Sequence, residues 1–197
     1  EYDTTSLRFT YNSMTTPRQW FDYDMATRKR TLRKTQQIPS GHNIEDYVVE
    51  RLNAPAADGE LVPVTILRRK STPVNGSAPL LLYGYGSYGA SMDPGFSVTN
   101  VSLLDRGMVY AIAHIRGGEE MGRAWYDDGK LLNKINTFTD FIDVTDDLVK
   151  QGYAAPDRVA AYGGSAGGLL MGAISNMAPE KYRVILSQEP FVDVVTT

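Results

Sequence analysis

Arg158-Val159-Ala160-Ala161-Tyr162-Gly163-Gly164-Ser165-Ala166-Gly167-Gly168-Leu169-Leu170 decides the fold. At its centre is Gly163-x-Ser165-x-Gly167, the spacing of a nucleophile elbow. A serine in a sharp strand-to-helix turn is held in a strained backbone conformation with its oxygen above the sheet. The residues two before and two after it approach neighbouring backbone so closely that a Cβ does not fit. The flanks agree with this reading. Residues 158–162 form a short apolar run, a buried strand, and Leu169, Leu170 and Ala173 begin a helical spacing. The helix N-terminus would then favour negative charge at Ser165. A glycine-rich turn that binds a phosphate is the competing reading. The strand before and the helix after favour the elbow.

Outward from this stretch the rhythm is strand, helix, strand. Apolar runs at 80–83, 109–113, 159–162 and 184–186 read as strands. Val98, Val101 and Leu104 share one helical face, with Gly107 as a cap. Phe138, Phe141, Ile142, Leu148 and Val149 share another, in a helix that opens on a Thr137-x-x-Asp140 capping box and closes at Gly152. Such alternation predicts an α/β fold, a largely parallel sheet with helices on both faces. The elbow falls where such a sheet places ligands, at the carboxyl end of a strand. Before it, Tyr47–Leu52 and Leu61–Leu67 form an antiparallel pair around the turn Ala57-Asp58-Gly59-Glu60. Residues 1–34 read as an antiparallel meander with strands at Ser6–Tyr11, Gln19–Asp24 and Arg28–Lys34. Its basic cluster (Arg28, Lys29, Arg30, Arg33, Lys34) reads as a solvated face. Residues 35–46 read as a linker with a domain boundary near Ser40, and His42 within it as a solvent-facing or capping residue.

The bulk composition excludes several classes of function. A net charge of −3 gives no reason to expect nucleic acid as a partner. The chain has no cysteine, which removes disulfides and thiolate metal sites, and no metal or cofactor is expected. No apolar run approaches the length of a membrane span and no leader pattern is visible, so no membrane partner and a cytoplasmic location are expected.

Three stretches besides the elbow carry chemistry. Tyr83-Gly84-Tyr85-Gly86-Ser87-Tyr88-Gly89 follows the first central strand, in the loop that supplies part of the oxyanion hole in α/β-hydrolases. A tyrosine hydroxyl can serve as such a donor; a glycine-kinked loop with aromatic packing is the alternative. His114-Ile115-Arg116-Gly117-Gly118 follows the second central strand. The α/β-hydrolase order is Ser, then Asp or Glu, then His. Both histidines of this chain, His42 and His114, precede Ser165, so His114 reads as structural and Arg116 as the partner of a nearby acid. Asp193, in Ser187–Asp193 after the last strand, comes early for a triad acid.

In order and spacing, Leu82-Tyr83-Gly84-Tyr85-Gly86, Ile115-Arg116-Gly117-Gly118, Leu131-Leu132-Asn133-Lys134 and Gly163–Leu169 resemble the prolyl oligopeptidase family of serine peptidases. Ser87–Ser91 and Pro190–Thr197 are similar to its oligopeptidase B branch. The resemblance covers the whole chain. It implies a β-propeller gating an α/β-hydrolase domain, with residues 1–40 as the last propeller strands and hinge and residues 41–197 as the first part of the hydrolase domain.

By the same resemblance Ser165 is the nucleophile, and the Tyr85 hydroxyl and the Ala166 N–H are the oxyanion donors. Tyr88 lines the primary specificity pocket, and Asp93 is the first acid of an Asp-x-Asp that binds a basic neighbour. The implied substrates are short basic peptides cut after Arg or Lys. Gly95 stands where the second acid belongs, and Glu119 and Glu189 replace a glycine and an apolar residue of the family pattern. An esterase or aminopeptidase on this fold, or a non-catalytic hydrolase-like interaction protein, are the alternatives. With no histidine after Ser165, the chain is read as a fragment that lacks the triad Asp and His and needs other segments of the same polypeptide. It is expected to be inactive alone.

Overall fold

In the computed structural model, which describes residues 3–193 and 195, the chain forms two sheets. Strands β1 (Ser6–Tyr11), β2 (Gln19–Asp24) and β3 (Arg30–Thr35) make an antiparallel meander. The turn after β2 is fixed by Asp24, whose carboxylate accepts the Ala26 and Thr27 N–H groups. Most of this meander is exposed, since three short strands cannot enclose a core alone. Its basic face is solvated, with Lys34 over the Trp20 ring and Arg30 over Phe21.

The second sheet has six strands in the order β4-β5-β7-β6-β8-β9. Its members are β4 (Tyr47–Pro55), β5 (Leu61–Arg69), β6 (Leu80–Tyr83), β7 (Val109–Ala113), β8 (Val159–Gly164) and β9 (Val184–Gln188). β4, β5 and β7 pair antiparallel; β7, β6, β8 and β9 pair parallel. The central strands are apolar throughout because both faces are covered. Alternate residues separate cleanly. Leu80, Leu82, Val109 and Ala111 pack with Phe141, Val144 and Leu148 of α3 (Ile135–Lys150) and Leu170, Met171 and Ile174 of α4 (Ala166–Met177). Leu81, Tyr110 and Ile112 face the other way, onto Val101 and Leu104 of α1 (Val98–Leu104). This is the α/β-hydrolase architecture expected from the sequence, preceded by a three-stranded antiparallel meander.

Several local readings differ. α3 begins at Ile135 rather than at a Thr137 cap, and Thr137 and Asp140 are fully buried inside it. The Thr137 hydroxyl donates to the Arg116 carbonyl (2.7 Å), and Asp140 accepts from the Arg116 backbone N–H and its guanidinium. The pattern that resembles a capping box is used for tertiary contacts. Gly152 does close this helix, at φ 85°. A short helix α2 (Arg123–Asp127) has no counterpart in the sequence reading. His42 is not solvent-facing. It stacks on Tyr47 with ring centroids 5.0 Å apart, and its Nε2 meets the Thr15 carbonyl at 2.6 Å.

Candidate active site

The β8–α4 junction builds the site. Ser165 has φ 54° and ψ −116°, a left-handed conformation that costs a non-glycine residue about 1–3 kcal/mol. It is exposed, while the surrounding Gly163, Ala166, Gly167 and Gly168 are buried. Two backbone bonds pin the turn to the segment after β9. The Ser165 N–H donates to the Gln188 carbonyl (2.9 Å), and the Phe191 N–H donates to the Ser165 carbonyl (3.0 Å). Ala166 opens α4, so its N–H belongs to the first turn, which lacks intrahelical acceptors.

The loop after β6 packs directly onto this turn. A Cβ on Gly167 would stand 2.8 Å from the Gly84 carbonyl oxygen and 3.4 Å from Tyr85 Cδ2, so the Tyr85 ring lies against the elbow. The loop is tied down beyond Tyr85. The Gly86 carbonyl and the Ser87 hydroxyl (2.8 Å) both accept from Lys134 Nζ, and the Gly89 N–H donates to the Gly117 carbonyl (3.0 Å). Tyr88 projects with φ 59° and is 72% exposed.

Beside Ser165 lies a cavity of about 560 Å³, walled by Tyr88, Tyr126, Leu131, Lys134, Ala166 and Phe191 among others. It is largely apolar, the character of a small-molecule or side-chain pocket. Its two cations are Lys130, paired with Asp127 at 2.5 Å, and Lys134, which burial lowers to a pKa of about 8. No carboxylate lines this wall among the described residues. Asp93 is exposed on the same loop as Tyr88 but is not part of that wall. Glu119 reaches over Gly89, its Oε2 3.3 Å from where a Cβ there would be, and lies 3.9 Å from Arg123. Glu189 follows β9 at φ 44°, between the two residues that bond to Ser165.

The histidines are engaged elsewhere. His114 is 1% exposed. Its Nε2 meets the Thr65 hydroxyl (2.8 Å) and its Nδ1 faces Glu120 (3.3 Å), so both ring nitrogens are occupied. Burial opposes ionisation of Glu120, but hydrogen bonds from His114 and the Met92 N–H hold its carboxyl below the usual range. Arg116 is likewise structural, bonded to Asp140 at 2.5 Å and to Asp58 at 2.6 Å. The structure thus brings Ser165, Ala166, Tyr85 and Tyr88 together and leaves Asp93 outside the cavity wall. An exposed hydroxyl beside a helix N-terminal N–H and a tyrosine can attack a carbonyl and stabilise the resulting oxyanion, given a base. Tyr126, Phe191 and Lys134 line the cavity without having been singled out as site residues by the sequence reading. Tyr126 sits on α2, which the sequence reading lacks, and Lys134 enters that reading only within the motif Leu131–Lys134 that carries the family resemblance.

The Prolyl oligopeptidase family model matches residues 94–197, over half of the chain. The chain belongs to the prolyl oligopeptidase family. Members of this family are serine peptidases. The chain is 67% identical over its full length to the dipeptidyl aminopeptidase BI of Pseudoxanthomonas mexicana, of which it spans 27%. It is 45% identical to protease 2 of Moraxella lacunata, spanning 28% of it. Among solved structures, Trypanosoma brucei oligopeptidase B in a closed form with covalently bound antipain superposes with a TM-score of 0.93. That match is at 45% identity and covers all of this chain and 28% of the other. Oligopeptidase B from Leishmania major gives 0.91 at 46% identity, covering 98% of this chain and 27% of that one. The chain therefore spans about a quarter of the length of the relatives it matches. Among the described residues no helix is long and apolar enough to cross a membrane.

Proposed function

We propose that the full-length protein is a serine oligopeptidase that cuts short peptides after Arg or Lys through an acyl-enzyme on Ser165. The observation that carries this reading is the strained, exposed Ser165, fixed between the helix N-terminus and the Tyr85 loop. Ser165 Oγ attacks the scissile carbonyl, and a base takes its proton. Tyr85 and the Ala166 N–H hold the oxyanion, and Tyr88 lines the specificity pocket. Both histidines present are committed to other partners, so the base and its orienting acid come from residues outside these 197. The acids that would bind a basic side chain come from there as well, since the described wall has none. Residues 1–40 form the end of the propeller and the hinge. The basic preference is supported by the similarity to protease 2 and oligopeptidase B over the whole chain.

A second reading, a dipeptidyl aminopeptidase, is favoured by the relative at 67% identity that bears this name. Recognition of a free N-terminal ammonium needs a carboxylate near the cavity, and Glu119, Glu189 and Asp93 are the candidates. The test compares a blocked Arg-containing fluorogenic peptide with a dipeptidyl substrate bearing a free amine, using the full-length protein. Turnover of the blocked peptide supports the oligopeptidase. Turnover confined to the free-amine substrate replaces it with the aminopeptidase.

A further inference from the structure

Lys134 is placed where a lysine costs stability. It sits at the N-terminus of α3, where the helix dipole opposes a cation, and it is half-buried at the cavity wall. Burial lowers its pKa to about 8. Its neighbour Lys130 is compensated by Asp127, whereas both hydrogen-bond acceptors of Lys134 are neutral oxygens, the Gly86 carbonyl and the Ser87 hydroxyl. Its Nζ lies over the Phe138 ring, 6.0 Å from the centroid.

What the lysine holds is the peptide immediately after Tyr85. Gly86 has φ 67°, so the chain turns sharply there, and a Cβ on it would meet the Ile115 side chain at 2.8 Å. Among the described residues, the only other nearby donor to the Gly86 carbonyl, the Thr137 hydroxyl, is 3.5 Å away. That hydroxyl has one proton, and it is directed to the Arg116 carbonyl at 2.7 Å. Lys134 is thus the close donor to the loop's turning point. The next anchor, from the Gly89 N–H to the Gly117 carbonyl, lies three residues further on.

We propose that Lys134 is a positioning residue for the oxyanion-binding loop, holding Tyr85 against the elbow by bonding Gly86 and Ser87 together. The inference rests on the reading of Tyr85 as an oxyanion donor. A donor misplaced by about 1 Å can cost on the order of 10²-fold in rate. Preorganisation of this kind acts on the transition state, so the loss belongs in kcat and not in KM.

The test is a double-mutant cycle in the full-length enzyme on a blocked Arg peptide. Lys134→Met alone should lower kcat by on the order of 10²-fold with KM nearly unchanged, and most of that loss should vanish when Lys134→Met is made in a Tyr85→Phe background. An equal loss in both backgrounds overturns the proposal and leaves Lys134 structural. A loss confined to KM overturns it too, making Lys134 a wall of the substrate pocket. Parental turnover of Tyr85→Phe on its own is a different failure: the donor role itself is then wrong. If Lys134→Met does not fold, Ser87→Ala decides, because it removes one of the two tethered oxygens and leaves the lysine. It must show the same kcat-only loss and the same coupling to Tyr85, and additivity overturns the proposal.

Discussion

Gly168→Ala sets helix propensity against packing in a way the structure resolves. Gly168 is the third residue of α4, where alanine is preferred by about 0.8–1.0 kcal/mol. A Cβ there would stand 2.5 Å from Pro190 Cα, 2.7 Å from Pro190 Cβ and 3.3 Å from Pro190 N. Carbon atoms rest at about 3.5–4.0 Å, so α4 and the Pro190 backbone must separate by about 1 Å. Overpacking of this kind costs about 1–3 kcal/mol, which outweighs the propensity gain and leaves the variant destabilised by about 0–2 kcal/mol. The catalytic effect should be larger than the stability effect. Gln188 and Phe191, on either side of Pro190, make the two backbone bonds that fix Ser165, so the displacement passes directly to the nucleophile. A shift of about 1 Å there should cost on the order of 10²-fold in turnover. The assay pairs kcat/KM on a blocked Arg peptide with the denaturant midpoint of the full-length protein. A variant stabilised by about 1 kcal/mol with parental turnover would refute the packing argument.

Three further outcomes follow from the same geometry. Tyr85→Phe should lower turnover by about 10²–10³-fold with an unchanged unfolding midpoint, the usual loss for one oxyanion donor. Asp140→Ala removes the buried partner of Arg116, which is 5% exposed, and leaves its guanidinium only the exposed Asp58, so it should destabilise the hydrolase domain by about 3 kcal/mol, read as a lowered denaturation midpoint. Asp93→Asn should weaken cleavage of peptides with two adjacent basic residues more than those with one, in a side-by-side kcat/KM comparison. An equal effect on both would make Asp93 structural.

The parts of this chain that could be read from sequence are those dictated locally. The central strands are apolar throughout because both faces are covered, and the elbow needs small residues at fixed offsets from Ser165, so both are written in short stretches. α2 is not legible in the sequence because it has only five residues and opens on Gly122 at φ 91° with no capping side chain. Thr137 and Asp140 misled because a local capping pattern and a buried tertiary network use the same residue types, and only the approach of Arg116 separates them. Lys134 and His42 depend on burial by distant segments, Gly86–Ser87 in one case and Thr15 with Tyr47 in the other. No local spacing encodes either. Motif order reads the histidines as structural, and the geometry sets His114 against Thr65 and Glu120 and His42 against the Thr15 carbonyl.

The role of Ser165 is tested most directly by covalent labelling. A fluorophosphonate should be attacked by the activated serine in the folded full-length protein, and peptide mapping by mass spectrometry should place the adduct on Ser165. Ser165→Ala should abolish both the label and peptidase turnover. Turnover with no adduct on Ser165, or undiminished turnover in Ser165→Ala, would contradict the account.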